Sequence, residues 1–202
     1  MIPLTRRATL PLGLLAFAAT GAMAQPANIR VRGTITALEG DMLAVTTREG
    51  DRVLIRLVEN ATIVSLRRVA LTEIAQGTSL GVVAEPGPNG GLQAVAITVL
   101  PPGVRITERQ FDWDLRPGTS MNDGPVAAIM EQGTGRDVTL SIMGRSVPVH
   151  VPAETPLLMP VPASRADLVP NATVFLNALR AEDGRLSANR ITVSKDGVAP
   201  VI

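Results

Sequence analysis

His150 is the only histidine of the chain, and there is no cysteine. An imidazole general base, a triad or an imidazole metal ligand must therefore use that one residue, while thiolate catalysis, disulfides and cysteine metal sites are excluded. The hydroxyls nearest to completing a Ser-His-acid set are Ser146 and Ser164. Ser146 is a near neighbour of His150 on one strand-like segment, and no nucleophile-elbow sequence is present. A hydrolase of envelope polymers is accordingly the least supported reading, and the chain is expected to be non-enzymatic and to need no cofactor. Alternation sets His150 on the face opposite Val147, Val149 and Val151, an outward and solvated position.

Carboxylates offer a second chemistry. Asp112, Asp114 and Asp123 lie close together in the middle of the chain, and His150 could join them. Such an oxygen-rich set suits Ca²⁺ better than Zn²⁺, and it supports metal binding or metal handling in the envelope as the alternative function. No Asp-x-Asp-x-Asp-Gly loop is present, and Asp112 and Asp114 flank Trp113 as they would on any alternating strand edge.

The same stretch, Phe111-Asp112-Trp113-Asp114-Leu115-Arg116, holds the only tryptophan and one of three phenylalanines. Period-two alternation turns Phe111, Trp113 and Leu115 to one side and Asp112, Asp114 and Arg116 to the other. Two uses follow. The strand could seal an open barrel or staple two barrels together, its aromatics supplying bulk. Alternatively, Phe111 and Trp113 form an exposed anchor for an envelope protein partner, with Asp112, Asp114 and Arg116 as a polar rim. Pro117-Gly118 then turns the chain.

The elements around this stretch come in two copies. A shift of 94 residues, without a gap, lays Val53, Ile55 and Leu57 on Val147, Val149 and Val151, and Ala84, Gly90, Leu92, Ala94, Ile97 and Val99 on Ala178, Gly184, Leu186, Ala188, Ile191 and Val193. Gly77 falls on Asn171, the two residue types that most readily adopt the left-handed backbone after a short helix. Alternation predicts strands over 30–38, 42–47, 52–57, 80–85 and 92–99 in the first copy. A helical turn or two is predicted over 69–75, matched by the helix-start pattern Ser164-Arg165-Ala166-Asp167.

Three strands, a short helix and two more strands is the order of an OB-like barrel. The expected architecture is all-β: two tandem OB-like five-stranded small barrels, over residues 25–100 and 126–195, joined by an aromatic linker strand in 101–125 and followed by a tail, 196–202. One two-sheet sandwich built from both halves is the competing arrangement. With three aromatics outside the first 24 residues, the cores must be aliphatic.

The Gly33 to Gly40 opening (Gly-x-Ile-x-x-x-x-Gly), the Val53-Leu-Ile-Arg-Leu strand and the Gly-x-Leu-x-Ala-x-x-Ile-x-Val endings at 90–99 and 184–193 resemble a secreted bacterial family known as domain of unknown function 5666. The resemblance implies a fold and a compartment and no activity. The second copy departs from the pattern in lacking a glycine at the equivalent opening.

Residues 1–24 place Arg6 and Arg7 before a short apolar run and end in Ala22-Met23-Ala24, the form of an export peptide with cleavage before Gln25. The expected location is periplasmic or secreted, by the general secretory or the twin-arginine route. Without its two arginines, 17 basic face 18 acidic side chains, a balance that argues against nucleic-acid partners. Basic grooves with stacking aromatics are missing as well. No later segment is long and apolar enough to span a bilayer. Asn60-Ala61-Thr62 and Asn171-Ala172-Thr173 have the form of glycosylation acceptors, a reading that the bacterial-type leader disfavours.

Overall fold

Short aliphatic-polar alternations interrupted by turn residues commit this chain to strands. The computed structural model describes residues 27–87, 90–132 and 135–201; the expected export peptide lies outside them. Twelve strands are present among the described residues: β1 (Ala27–Glu39), β2 (Met42–Thr47), β3 (Arg52–Arg68), β4 (Ser79–Pro86), β5 (Leu92–Val99), β6 (Arg109–Asp112), β7 (Ser120–Gln132), β8 (Gly135–Ile142), β9 (Arg145–Val151), β10 (Leu157–Pro162), β11 (Thr173–Arg180) and β12 (Leu186–Val193). The protein is all-β.

The helix expected over 69–75 is a single 3-10 turn, Leu71–Glu73, and its counterpart is Arg165–Asp167. Each is too short to be an α-helix, and each is closed by the same reach-back. Ala70 N–H donates to Glu73 Oε1 at 2.9 Å, and Ser164 N–H donates to Asp167 Oδ2 at 2.8 Å. Beyond each turn the backbone enters the left-handed region, at Gly77 (φ 83°) and Asn171 (φ 69°). The two turns begin 94 residues apart, at 71 and 165, as do β4 and β11, at 79 and 173, and β5 and β12, at 92 and 186.

Pairing departs from the tandem arrangement. β1 pairs with β2, β2 with β3, β3 with β12 in parallel, β12 with β11, and β11 with β1. This closes a five-stranded barrel whose last two strands come from the other half of the chain. The remaining long strands associate likewise: β4 with β5 and β7, β7 with β8, β8 with β9, and β9 with β5 through a two-residue parallel contact. β10 bridges the two sets, antiparallel to β3 and parallel to β5.

In the first half the crossing is made by β3. Seventeen residues at about 3.3 Å each make a strand of about 55 Å, far longer than the usual strand of five or six residues. It carries the chain past its own barrel before the 3-10 turn, and β4 and β5 are delivered to the other set. In the second half the same path is broken after Val151, where Pro152 interrupts the ladder before β10 begins.

Each set encloses its own core. Ile35, Leu43, Val45, Ile55, Leu57, Leu176 and Ile191 fill the closed barrel, and Leu80, Val82, Ile97, Leu140, Ile142 and Val149 fill the second set. Neither cluster contains an aromatic residue. Among the described residues, the buried aromatics lie in a third cluster at the seam, where Val83, Ala96 and Met121 of the second set meet Trp113 and the barrel residue Phe175. Burial of large side chains at this scale is the main term holding such a fold together.

Candidate functional site

Among the described residues, β6 is the only strand without a counterpart at the 94-residue spacing. It pairs with β7 along Arg109↔Asp123, Gln110↔Asn122, Phe111↔Met121 and Asp112↔Ser120. Trp113 N–H donates to Thr119 O at 2.8 Å, and Thr119 Oγ1 donates back to Trp113 O at 2.9 Å, so the Pro117-Gly118 turn closes the loop onto β7. The alternation read from the sequence holds: Phe111 and Leu115 are half-buried, Trp113 is buried, and Asp112, Asp114 and Arg116 are exposed.

Burial corrects the anchor reading of Trp113. The indole is only 8 % exposed and cannot offer itself to a partner. It lies edge-on to Phe111, with ring centroids 5.8 Å apart, and tilted to Phe175 at 6.1 Å. Arg30 lies over its face at 4.0 Å and Arg32 at 5.4 Å, close enough for cation–π attraction. Both guanidinium groups are held by Asp114, Arg32 at 2.7 Å and Arg30 at 3.4 Å. The polar side of the segment thus binds β1 rather than forming a free rim, and Arg116 pairs with Glu85 on β4 at 2.6 Å.

The carboxylates and His150 do not assemble. Asp114 serves Arg30 and Arg32, Asp123 serves Arg109, and His150 Nδ1 lies 2.8 Å from Asp137 Oδ1. Among the described residues, no group of three His, Asp or Glu side chains converges as metal ligands would. His150 keeps an outward setting on β9 opposite Asp137, and Ser146 lies four residues earlier in the same strand, opposite Ser141.

What the seam does contain is a cleft of about 580 Å³, within the usual range for small-molecule sites. Its lining includes Leu66 and Pro160, which are paired across β3 and β10. Arg30 from β1, Phe175 from β11 and Arg190 from β12 line one side. Gly81 from β4 and Asp123 from β7 line the other, and Arg109 and Phe111 of β6 form the lip. Asp123 is the buried charge of the site. Its Oδ1 lies where a side chain at Gly81 would intrude, 3.1 Å from an ideal Cβ there, and its Oδ2 accepts from Arg109 Nε at 2.6 Å. Burial raises its pKa, and the hydrogen bond and charge of Arg109 only partly oppose that. For Asp114, burial acts upward as well, but the Arg32 hydrogen bond and the charges of Arg32 and Arg30 prevail and hold its pKa below the ordinary value.

Sequence reasoning brought out Phe111, Trp113 and Asp123 but not Arg30, Arg109, Phe175 and Arg190 as members of one site. A signal existed for Phe175: the 94-residue shift lays it on Gly81, and the two sit on opposite walls of the cleft. Comparison of the chain with family models, curated proteins and solved structures finds no match.

Proposed function

We propose that this protein is an exported, non-enzymatic binding module that holds a small ligand in the cleft between its two sets of strands. In this reading, both sets are OB-like barrels from an internal duplication whose halves exchanged their last two strands. The recurrence of elements at 94-residue spacing supports that history. The exchange gives the cleft walls from both halves, and the β6 segment, outside the duplication, makes it asymmetric.

The observation that carries the reading is the seam cleft itself: a concave space lined by both apolar and charged side chains, the combination from which ligand sites are built. The chemistry expected of a hydrolase or a metal centre has no comparable support, because His150 faces Asp137 away from any hydroxyl set and the carboxylates are spent on arginines. Native mass spectrometry of protein purified gently from its own envelope tests the reading. A small molecule should accompany the wild-type chain and be lost from Thr98→Trp, which fills the cleft from β5. Equal occupancy in both proteins, or none in either together with no thermal shift across a panel of small metabolites, removes it.

A further inference from the structure

The charges around the cleft do not balance. Arg30, Arg109 and Arg190 line it and Arg32 stands beside Arg30, while among the described residues the carboxylates paired with these four guanidinium groups are Asp114, outside the cleft lining, and Asp123. The chain as a whole is nearly neutral, with a formal charge of +1, so the excess is local. Arg190 is exposed and has no ion-pair partner among the described residues. Arg109 spends its Nε on Asp123, which leaves its two terminal nitrogens free of protein partners among the described residues. Two cations stand near the Phe111 ring, Arg30 at 5.8 Å and Arg109 at 5.1 Å from its centre. Beside it, Ile106 and Leu100 are half-buried and line the same space.

Resting on the cleft reading above, we propose that the ligand is a small organic monoanion. Its acidic head sits among Arg30, Arg109 and Arg190, and its flat apolar body lies against Phe111, Ile106 and Leu100. Arginine forks offer paired donors that match a carboxylate, sulfonate or phosphate ester. The apolar strip favours a hydrophobic body over a bare inorganic ion. Asp114 and Asp123 already offset part of the arginine charge, and the limited excess that remains suits one negative charge better than the several of a nucleotide.

The test titrates the purified protein with 1-anilinonaphthalene-8-sulfonate and, in parallel, with N-phenyl-1-naphthylamine, which has the same ring system without the sulfonate. Calorimetry gives affinity and stoichiometry, and energy transfer from Trp113, the only tryptophan, reports proximity to the seam. The sulfonate should bind one per chain and about tenfold more tightly than the neutral amine, as a charge-assisted contact warrants. Arg190→Gln should weaken the sulfonate by about five- to tenfold and leave the amine unchanged. Arg190 has no ion pair to lose, and Arg30→Gln serves as a second variant with the same expected direction. Equal affinity for the two probes, or insensitivity of the sulfonate to both variants, overturns the anion assignment while leaving the cleft as a binding site. Full displacement of the sulfonate by millimolar inorganic sulfate overturns the apolar half of the assignment. Binding of neither probe removes the cleft reading along with the inference.

Discussion

Arg109 Nε donates to Asp123 Oδ2 at 2.6 Å, yet burial still raises the pKa of the Asp123 carboxyl from its ordinary value. The pair is lopsided. The carboxylate side chain is 3 % exposed and the guanidinium 60 %, so Asp123 bears nearly all of the desolvation while Arg109 stays screened by water. Burial is the larger influence, and the ion pair offsets only part of it. Because the folded pKa is raised, this group's contribution to stability is fully present below its unfolded pKa. It is lost as pH rises through the folded value.

Asp123→Asn should therefore stabilise the protein at neutral pH, by on the order of a degree or two in Tm. The amide oxygen can still accept from Arg109, and no charge is buried. The gain should vanish as pH falls below the unfolded carboxylate pKa, where wild-type Asp123 is also neutral. Thermal melts across a pH series check this; a variant less stable than wild type at pH 7 would show that the ion pair outweighs burial.

The contrast between Asp123 and Trp113 shows what could be read from the sequence. The strands, the aliphatic cores and the Gly77/Asn171 backbone positions were legible because each depends on short-range alternation or on one residue's φ preference. That Phe111, Trp113 and Leu115 share one side was legible for the same reason, but not that this side is covered. Which set each strand joins was not legible, because that depends on β3 continuing through Glu59 and Asn60 to Arg68, where exposed polar residues break the alternation and imitate a turn. Once β3 is read as ending at Leu57, tandem barrels follow and the cleft disappears. Its walls, Arg30, Phe175 and Arg190, come together only through the β1–β11 and β3–β12 pairings, which no local pattern encodes.

Asp114 should respond to pH with the opposite sign. Its depressed pKa means that the stability it contributes is present above the unfolded pKa and is lost as pH falls through the folded one. Asp114→Asn should cost no more than about 1 kcal/mol at neutral pH, since the carboxylate is about half exposed, and should match wild type in acid. Urea melts at two pH values measure the difference. A pH-independent loss would mean that Asp114 acts by hydrogen-bond geometry and not by charge.

Trp113→Ala should lower stability by about 3–5 kcal/mol, the range for deleting a large buried side chain. The indole packs against residues of both sets, with Val83, Ala96 and Met121 on one side and Phe175 on the other. Its loss opens a cavity at the seam rather than within one core. Trp113→Phe should be milder, because the ring stays and the indole N–H, buried without a partner among the described residues, is removed. Equilibrium unfolding followed by circular dichroism checks both. A loss under 1 kcal/mol for the alanine variant would show that the seam holds without the linker.

The exchange of strands between halves can be tested by cross-linking, because the chain has no cysteine of its own. Asn28 on β1 stands opposite Leu179 on β11, and both are exposed. In a tandem arrangement, the residue opposite Asn28 would be Glu85, which lies 94 positions before Leu179 and is instead paired with Gln93 on β5. Directly opposed antiparallel residues have Cβ atoms about 4.5–5.5 Å apart, near the separation a disulfide spans. The double variant Asn28→Cys/Leu179→Cys should therefore oxidise within one chain, closing a loop that joins the two ends of the protein and speeding its migration on a non-reducing gel. Asn28→Cys/Glu85→Cys should remain reduced or cross-link only between chains. The reverse pattern would establish that each half completes its own barrel, and the cleft described here would then lose the β11 and β12 side of its wall.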